Sequence, residues 1–221
     1  MAASARPPTD AVVDGLTPAV DRIRAELAAK NAAREEALAL SREVIRLAAN
    51  SIRAIHRHEF PAAEDLQGRA QAALARVSEV LADHGDIYWA GFAQDAQKEF
   101  AEACTVLALV RGDPLPGADA LGVGAAAYLN GLGEAVGELR RHLLDYLRQG
   151  EVERCEPLLD AMDEIYAVLV TIDYPDAMTG GLRRTTDSVR GILEKTRGDL
   201  TVAMRQAQLE RRLAAVQAAL R

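Results

Sequence analysis

Four glutamates have the types and spacing to do chemistry. In GFAQDAQKEFAEA, Glu99 and Glu102 are three residues apart, and Asp95 precedes Glu99 by four. On a helix these spacings place all three carboxylates within about 60° of arc, where they repel one another unless a cation lies among them. In YLNGLGEAVGELRR, Glu134 and Glu138 are one turn apart among Leu129, Leu132, Val136, Leu139 and Leu143, with Asn130 and Arg141 on the same stripe. A carboxylate pair on a glycine-rich, mainly apolar helix is costly to bury without partners. A second helix carrying its own pair offers a shared partner, a divalent metal. Ligation by carboxylate oxygens favours Mg2+ or Mn2+, and the chain has no Glu-x-x-His, which removes the usual di-iron pattern. Hard metals held by acids bind phosphate oxygens and activate water, so these residues point to phosphoester or pyrophosphate hydrolysis. The plain alternative for Glu99/Glu102 is a solvated helical face, screened by Lys98 and distant arginines.

Basic residues gather elsewhere. Arg42, Arg46, Arg53 and Arg57 recur at spacings of four, seven and four, a stripe roughly 60° wide on a helix, with His56 and His58 near its end. The stripe is either a phosphate track or a row of ordinary ion pairs, and both readings stand at this point. Tyr88 and Trp89 are able to stack bases, although packing is the expectation for Trp89.

The elements that must position these residues are helices. Hydrophobic residues make up 49% of the 221, aromatics only 4%, and the balance is alanine and leucine, both strong helix formers. No alternating β-branched run suggests a sheet, so the chain reads all-α. Thr17-Pro18 starts a long helix that should reach about Glu59, with Pro61 ending it. Further helices are expected over about 62–83, 86–110, 118–148 and 151–172. A last one runs from about Gly181 to the C-terminus, with a candidate break at Arg197-Gly198-Asp199. Gly122, Gly124, Gly131, Gly133 and Gly137 weaken the fourth helix intrinsically, which implies close approach by a neighbouring backbone. Short loops favour one bundle over residues 17–221, preceded by a disordered lead-in over 1–16. The length of the first helix, with apolar positions along it, points to self-association.

The net charge of −7 excludes a simple basic-groove nucleic-acid binder, so a polyanion would need a local basic surface. Cys104 and Cys155, with no CxxC, suit reduced thiols in a cytoplasm and give no zinc site. No apolar run approaches the roughly 18 residues of a membrane span.

The order of the segments resembles the translin/TRAX family, in particular its archaeal-type, TRAX-like members. The resemblance is carried by Ser41-Arg-Glu-Val-Ile-Arg46 leading to Ile55-His-Arg57, by Gly91-Phe92 and Lys98-Glu-Phe-Ala-Glu-Ala103, and by Tyr128-Leu-Asn-Gly131 with Gly137-Glu-Leu-Arg-Arg141. Asp173-Tyr-Pro-Asp176, Leu182-Arg-Arg184 and Arg197-Gly198 complete it. It implies an antiparallel bundle of about seven helices that assembles into a hollow homo-octamer enclosing RNA or single-stranded DNA. TRAX-type subunits are Mg2+-dependent endoribonucleases, whereas translin-type subunits bind without cleaving. The TRAX acidic site is an E-x-x-E on one helix and an acidic residue four before a glutamate on the next. Glu99 and Glu102 match the first motif and Glu138 the final glutamate. Glu134 stands where animal TRAX has aspartate, keeping the charge on a longer arm.

The resemblance thus implies Glu99, Glu102, Glu134 and Glu138 as catalytic metal ligands. Lys98, Arg141 and the stripe of Arg42, Arg46, Arg53 and Arg57 would position phosphates, since the histidine-rich stretch of animal translins is not reproduced around Ile87-Tyr-Trp89. The alternatives are a translin-like binder without nuclease activity and an all-α NTP pyrophosphohydrolase. In the latter the second acidic pair is normally E-x-x-D and nearer in sequence.

Overall fold

The computed structural model describes residues 16–220; residues 1–15 of the expected lead-in lie outside them, and Leu16 is already helical. Among the described residues there is no strand. Six helices are long: α1 (Leu16–His56), α2 (Phe60–Val80), α4 (Phe92–Arg111), α6 (Ala125–Gln149), α7 (Glu156–Leu169) and α9 (Leu182–Ala219). Three are single turns: α3 (Gly85–Tyr88), α5 (Ala118–Leu121) and α8 (Asp176–Thr179).

The 41 residues of α1 extend about 60 Å, but only its second half is packed. Ala37, Ser41, Val44, Leu47, Ala48, Ser51, Ile52 and Ile55 are buried at helical spacing, whereas Leu16, Val20, Ile23 and Leu27 are exposed. α1 stops at His56, three residues before the expected end. His58 adopts a left-handed φ of 58°, and the His58 and Glu59 amides close back on the Ile55 and Ala54 carbonyls. Pro61 therefore sits in the first turn of α2, where its missing N–H is not needed. α2 folds back antiparallel: Ser51 Oγ donates to the Ala63 carbonyl at 3.1 Å, while Arg76 reaches Glu36.

Three expected helices are each interrupted. The third divides at Gly91, whose φ of 103° only glycine adopts readily, and Gln94 staples the break by bonding the Gly91 amide and the Tyr88 carbonyl. The fourth divides at Gly122-Val123-Gly124, with Gly122 left-handed. The fifth opens with a turn of 3-10 helix over Val152–Arg154 before α7. In contrast, α9 runs unbroken through Arg197-Gly198-Asp199. Thr196 and Leu200 are buried on either side of Gly198, and Arg140 clamps the segment by donating to Thr196 Oγ1 and Asp199 Oδ2.

α7 lies antiparallel to α6, and α9 returns alongside α6. Leu132, Val136, Leu139 and Leu143 of α6 meet Leu158, Met162, Ile165 and Leu169 of α7 and Val189, Leu193 and Leu200 of α9 in one apolar cluster. α4 joins this half to the α1–α2 hairpin, through Phe100 and Cys104 against Val44, Leu47, Ala70 and Leu74. Twelve of its residues from Ala93 to Ala108 are buried, so α4 is the central helix. α6 crosses it, with Gln97 facing Gly124 and Ala101 facing Gly131.

Candidate metal centre

At the α4–α6 crossing the two backbones touch. A Cβ added to Gly131 would stand 2.8 Å from the Lys98 carbonyl oxygen, 2.9 Å from Ala101 Cβ and 3.0 Å from the Glu102 amide nitrogen. This is the close approach that the glycine density implied, and it falls at Gly131. Gly133 makes room for the side chains of Thr185 and Leu169 on the α7–α9 side, while a Cβ at Gly137 would meet only Ile192 Cδ1, at an ordinary 4.0 Å. With the helices this close, Glu134 comes over Glu99 and Glu102. Carboxylate oxygens of the three all lie within 4.8 Å of one another.

The centre is electrostatically tense. Glu102 is 8% exposed; burial first, then repulsion from Glu99, Glu134 and Glu138, pushes its carboxyl up to about 8. Lys98 partly offsets this, with Nζ 2.6 Å from Glu134 Oε1 and 3.4 Å from Glu99 Oε1. Burial alone would lower the lysine pKa, but the two carboxylates raise it overall. One ammonium among three acids leaves a net negative, all-oxygen donor set, and three carboxylates with oxygens this close together suit a hard divalent ion.

Glu138 lies apart from the three. His56 Nε2 is 2.6 Å from its Oε2, and Arg141 Nη1 lies 3.7 Å from the same oxygen. The hydrogen bond with His56 outweighs burial and lowers the Glu138 pKa. Oε1 of Glu138 has no ion-pair or hydrogen-bond partner among the described residues. His56 itself is backed by aromatic neighbours. Its ring centroid is 5.7 Å from that of His142, which lies 5.3 Å from His58 and 4.6 Å from Tyr146. His142 is 1% exposed, and burial, followed by repulsion from His56 and His58, pushes it down to about 4. It is therefore neutral near pH 7.

Arg42, Arg46 and Arg53 are exposed on α1, and Arg57 is exposed in the turn that follows it. Arg57 pairs with Glu59 through two contacts, Arg46 approaches Glu43 at 3.4 Å, and Arg53 donates to Asn50. Arg42 has no ion pair among the described residues. The stripe is thus a mixture: Arg46, Arg53 and Arg57 have local partners, and Arg42 presents an unpaired guanidinium among the described residues. His56, between Arg53 and Arg57, links its end to Glu138. Both cysteines are free and buried, and burial pushes Cys104 up to about 12, so neither is a nucleophile.

Two features escaped the residue pattern. In the sequence His56 is only a neighbour of the arginines, and nothing within α1 indicates that a glutamate 82 positions later receives its Nε2. Trp89, expected to pack, is 72% exposed, because the break at Gly91 turns it out of the helix.

A helical bundle whose central crossing gathers one buried and two half-buried carboxylates around one lysine defines the class: an all-α protein built to present acids between two helices. Comparison with known proteins places it further. No family model matches the chain. An uncharacterised protein of Methanocaldococcus jannaschii is 31% identical over 196 residues, covering 86% of this chain and 85% of that one. The solved structure of AfC3PO in complex with duplex RNA is 32% identical, covers 84% of this chain and 96% of its own, and superposes with a TM-score of 0.77. Apo-NeC3PO, at 20% identity and a TM-score of 0.76, covers 90% of this chain and shares the fold. The chain belongs to the translin/TRAX family. No helix among the described residues is long and apolar enough to cross a membrane.

Proposed function

We propose that the protein is a divalent-metal-dependent endoribonuclease that cleaves single-stranded or short RNA inside a homo-oligomeric, octameric shell. The observation that carries this reading is the convergence of Glu99, Glu102 and Glu134 with Glu102 buried. Pure binding to RNA gains nothing from clustered negative charge, whereas metal-assisted phosphodiester hydrolysis requires it. The complex of AfC3PO with duplex RNA supports RNA as the polymer.

Glu99, Glu102 and Glu134 would hold Mg2+ or Mn2+, with Oε1 of Glu138 available as a fourth oxygen. When bound, the ion lowers the pKa of a water and neutralises charge on the phosphate. Lys98, released from the carboxylates it bridges, holds a phosphate oxygen beside them. Glu138, ionised and fixed by His56, orients water at the edge of the cluster. Arg141 and the Arg42–Arg57 stripe carry the flanking phosphates. Exposed apolar residues at spacings of four, three and four recur at both overhanging helix ends, Leu16, Val20, Ile23 and Leu27 on α1 and Leu209, Leu213 and Val216 on α9 with its C-cap Leu220. Such seams support association between copies.

The deciding experiment incubates purified protein with end-labelled single-stranded RNA in Mg2+ or in EDTA. Internal cleavage in Mg2+ alone is expected. A translin-like binder is the second reading, favoured by Lys98 already supplying a cation to the cluster; binding without cleavage in either condition would establish it. Hydrolysis of nucleoside triphosphates without RNA cleavage would indicate a pyrophosphohydrolase instead.

The arginine stripe gives a separate expectation. Replacing Arg42, Arg46 and Arg53 together by glutamine should weaken RNA binding uniformly across sequences. It should also flatten the dependence of log affinity on log salt by roughly one unit per arginine. A salt slope unchanged by the triple replacement would remove the stripe from the interface.

A further inference from the structure

The chain contains one tryptophan, and an indole that is 72% exposed is an anomaly, because aromatic surface of this size is normally buried. Trp89 is nevertheless held. Tyr88 packs edge-on against it at 5.0 Å between centroids, and the Tyr88 hydroxyl accepts a hydrogen bond from Gln97 Nε2 at 2.8 Å. Gln94 Nε2 donates to the Tyr88 carbonyl at 2.9 Å. One side of the indole is thus supported and much of the rest is bare.

Trp89 lines a cavity of about 540 Å3 together with Lys98, Asn130, Glu134, Met178 and Arg184, a volume typical of small-ligand sites. Lys98 and Glu134 belong to the carboxylate cluster, so the cavity opens directly beside it. Arg184 and Glu134 also line a second cavity of about 440 Å3 that Glu102 borders. Arg184 makes no ion pair among the described residues, unlike its neighbour Arg183, which approaches Asp173. Asn130, on the floor of the cavity, is already satisfied. Asn130 donates to the Ala126 and Thr179 carbonyls and accepts from Thr185 Oγ1 at 2.6 Å. A floor so occupied offers little to read the edge of a base, while the indole offers a face.

We propose that this cleft is a subsite for one unpaired nucleotide of the RNA, its base stacked on Trp89 and its phosphate held by Arg184 next to the carboxylates. The proposal rests on the nuclease reading above for the identity of the polymer. A base inside a duplex is stacked on both faces and cannot lie on the indole, whereas an unpaired one can. The subsite selects single strands, frayed ends and bulges over continuous duplex, and is tolerant of base identity.

Because Trp89 is the sole tryptophan, its emission reports the subsite without cleavage. The full-length protein in EDTA is titrated with single-stranded oligoadenylate and, separately, with a blunt duplex of equal length. Saturable quenching by the single strand and little by the duplex are expected. Labelled-RNA anisotropy should show single-strand affinity falling about tenfold in Trp89→Ala and largely restored in Trp89→Phe. Arg184→Gln should lower affinity and reduce the salt slope by roughly one. Quenching that is absent, or equal for single strand and duplex, overturns the subsite. So does emission already blue-shifted and shielded from acrylamide in the free protein, which would mean that Trp89 is buried between copies. Cleavage without quenching removes the subsite alone; quenching without cleavage removes the nuclease reading and leaves the subsite standing.

Discussion

Glu102→Gln should lower Mg2+-dependent RNA cleavage by more than about a hundredfold, since even residues one shell further from a metal cost ten- to hundredfold when replaced. The same change should make the metal-free protein more stable. The Glu102 carboxyl is raised from 4.5 to about 8. Below pH 4.5 both folded and unfolded chains hold its proton, and the group costs nothing. Between pH 4.5 and about 8 the unfolded chain releases the proton while the folded chain keeps it. Stability therefore falls as pH rises through that window, by up to about 1.4 kcal/mol per unit. Glutamine has no proton to lose, so the variant should show a flatter stability profile and exceed the parent most clearly at pH 8 and above.

On the proposed metal-centre reading, a bound ion would replace the proton and reverse that penalty. Mg2+ affinity of the parent should rise roughly tenfold per pH unit up to about pH 8 and then level off. Calorimetric titration at pH 6, 7, 8 and 9 measures this directly, with denaturation of the metal-free proteins at the same pH values. A pH-independent affinity in the parent, or a glutamine variant no more stable than the parent at pH 8, would mean that Glu102 is not the strained member of a metal centre.

What the sequence made visible was periodicity. The i, i+3 spacing placed Glu99 and Glu102 on one face, and Glu134 came to them because glycine at position 131 let two helices meet. The helical class was equally visible, since alanine and leucine patterning is a property of each segment by itself. Breaks within helices were not. Gly91 and Gly122 interrupt, whereas Gly198 does not, and the difference is tertiary: Thr196 and Leu200 anchor α9 on both sides of Gly198, with Arg140 as a clamp. The exposure of Trp89 follows from the Gly91 break and was hidden with it. The pairing of His56 with Glu138 joins α1 to α6, and no local pattern connects residues so far apart in the chain.

Gly131→Ala should cost stability and activity together, and for one reason. The added methyl meets the Lys98 carbonyl oxygen at 2.8 Å, Ala101 Cβ at 2.9 Å and the Glu102 amide nitrogen at 3.0 Å. None of these atoms sits at the end of a side chain that can rotate aside, so α4 and α6 must move apart. A loss of about 1–3 kcal/mol is expected from overpacking of this kind. The larger effect falls on the centre, where a misplacement on the order of 1 Å lowers rates by about a hundredfold. Gly137→Ala is the internal control on the same helix. Its nearest new neighbour is Ile192 Cδ1 at 4.0 Å, so the better helix former should stabilise by roughly 0.5–1 kcal/mol and leave cleavage intact. Chemical denaturation and Mg2+ affinity, measured on both variants, separate packing from geometry. If Gly131→Ala retained Mg2+ affinity while losing stability, the backbone contact would support the fold without setting the distance between the carboxylates. Loss of both in Gly131→Ala, with neither in Gly137→Ala, assigns the assembly of the centre to the close backbone approach at Gly131.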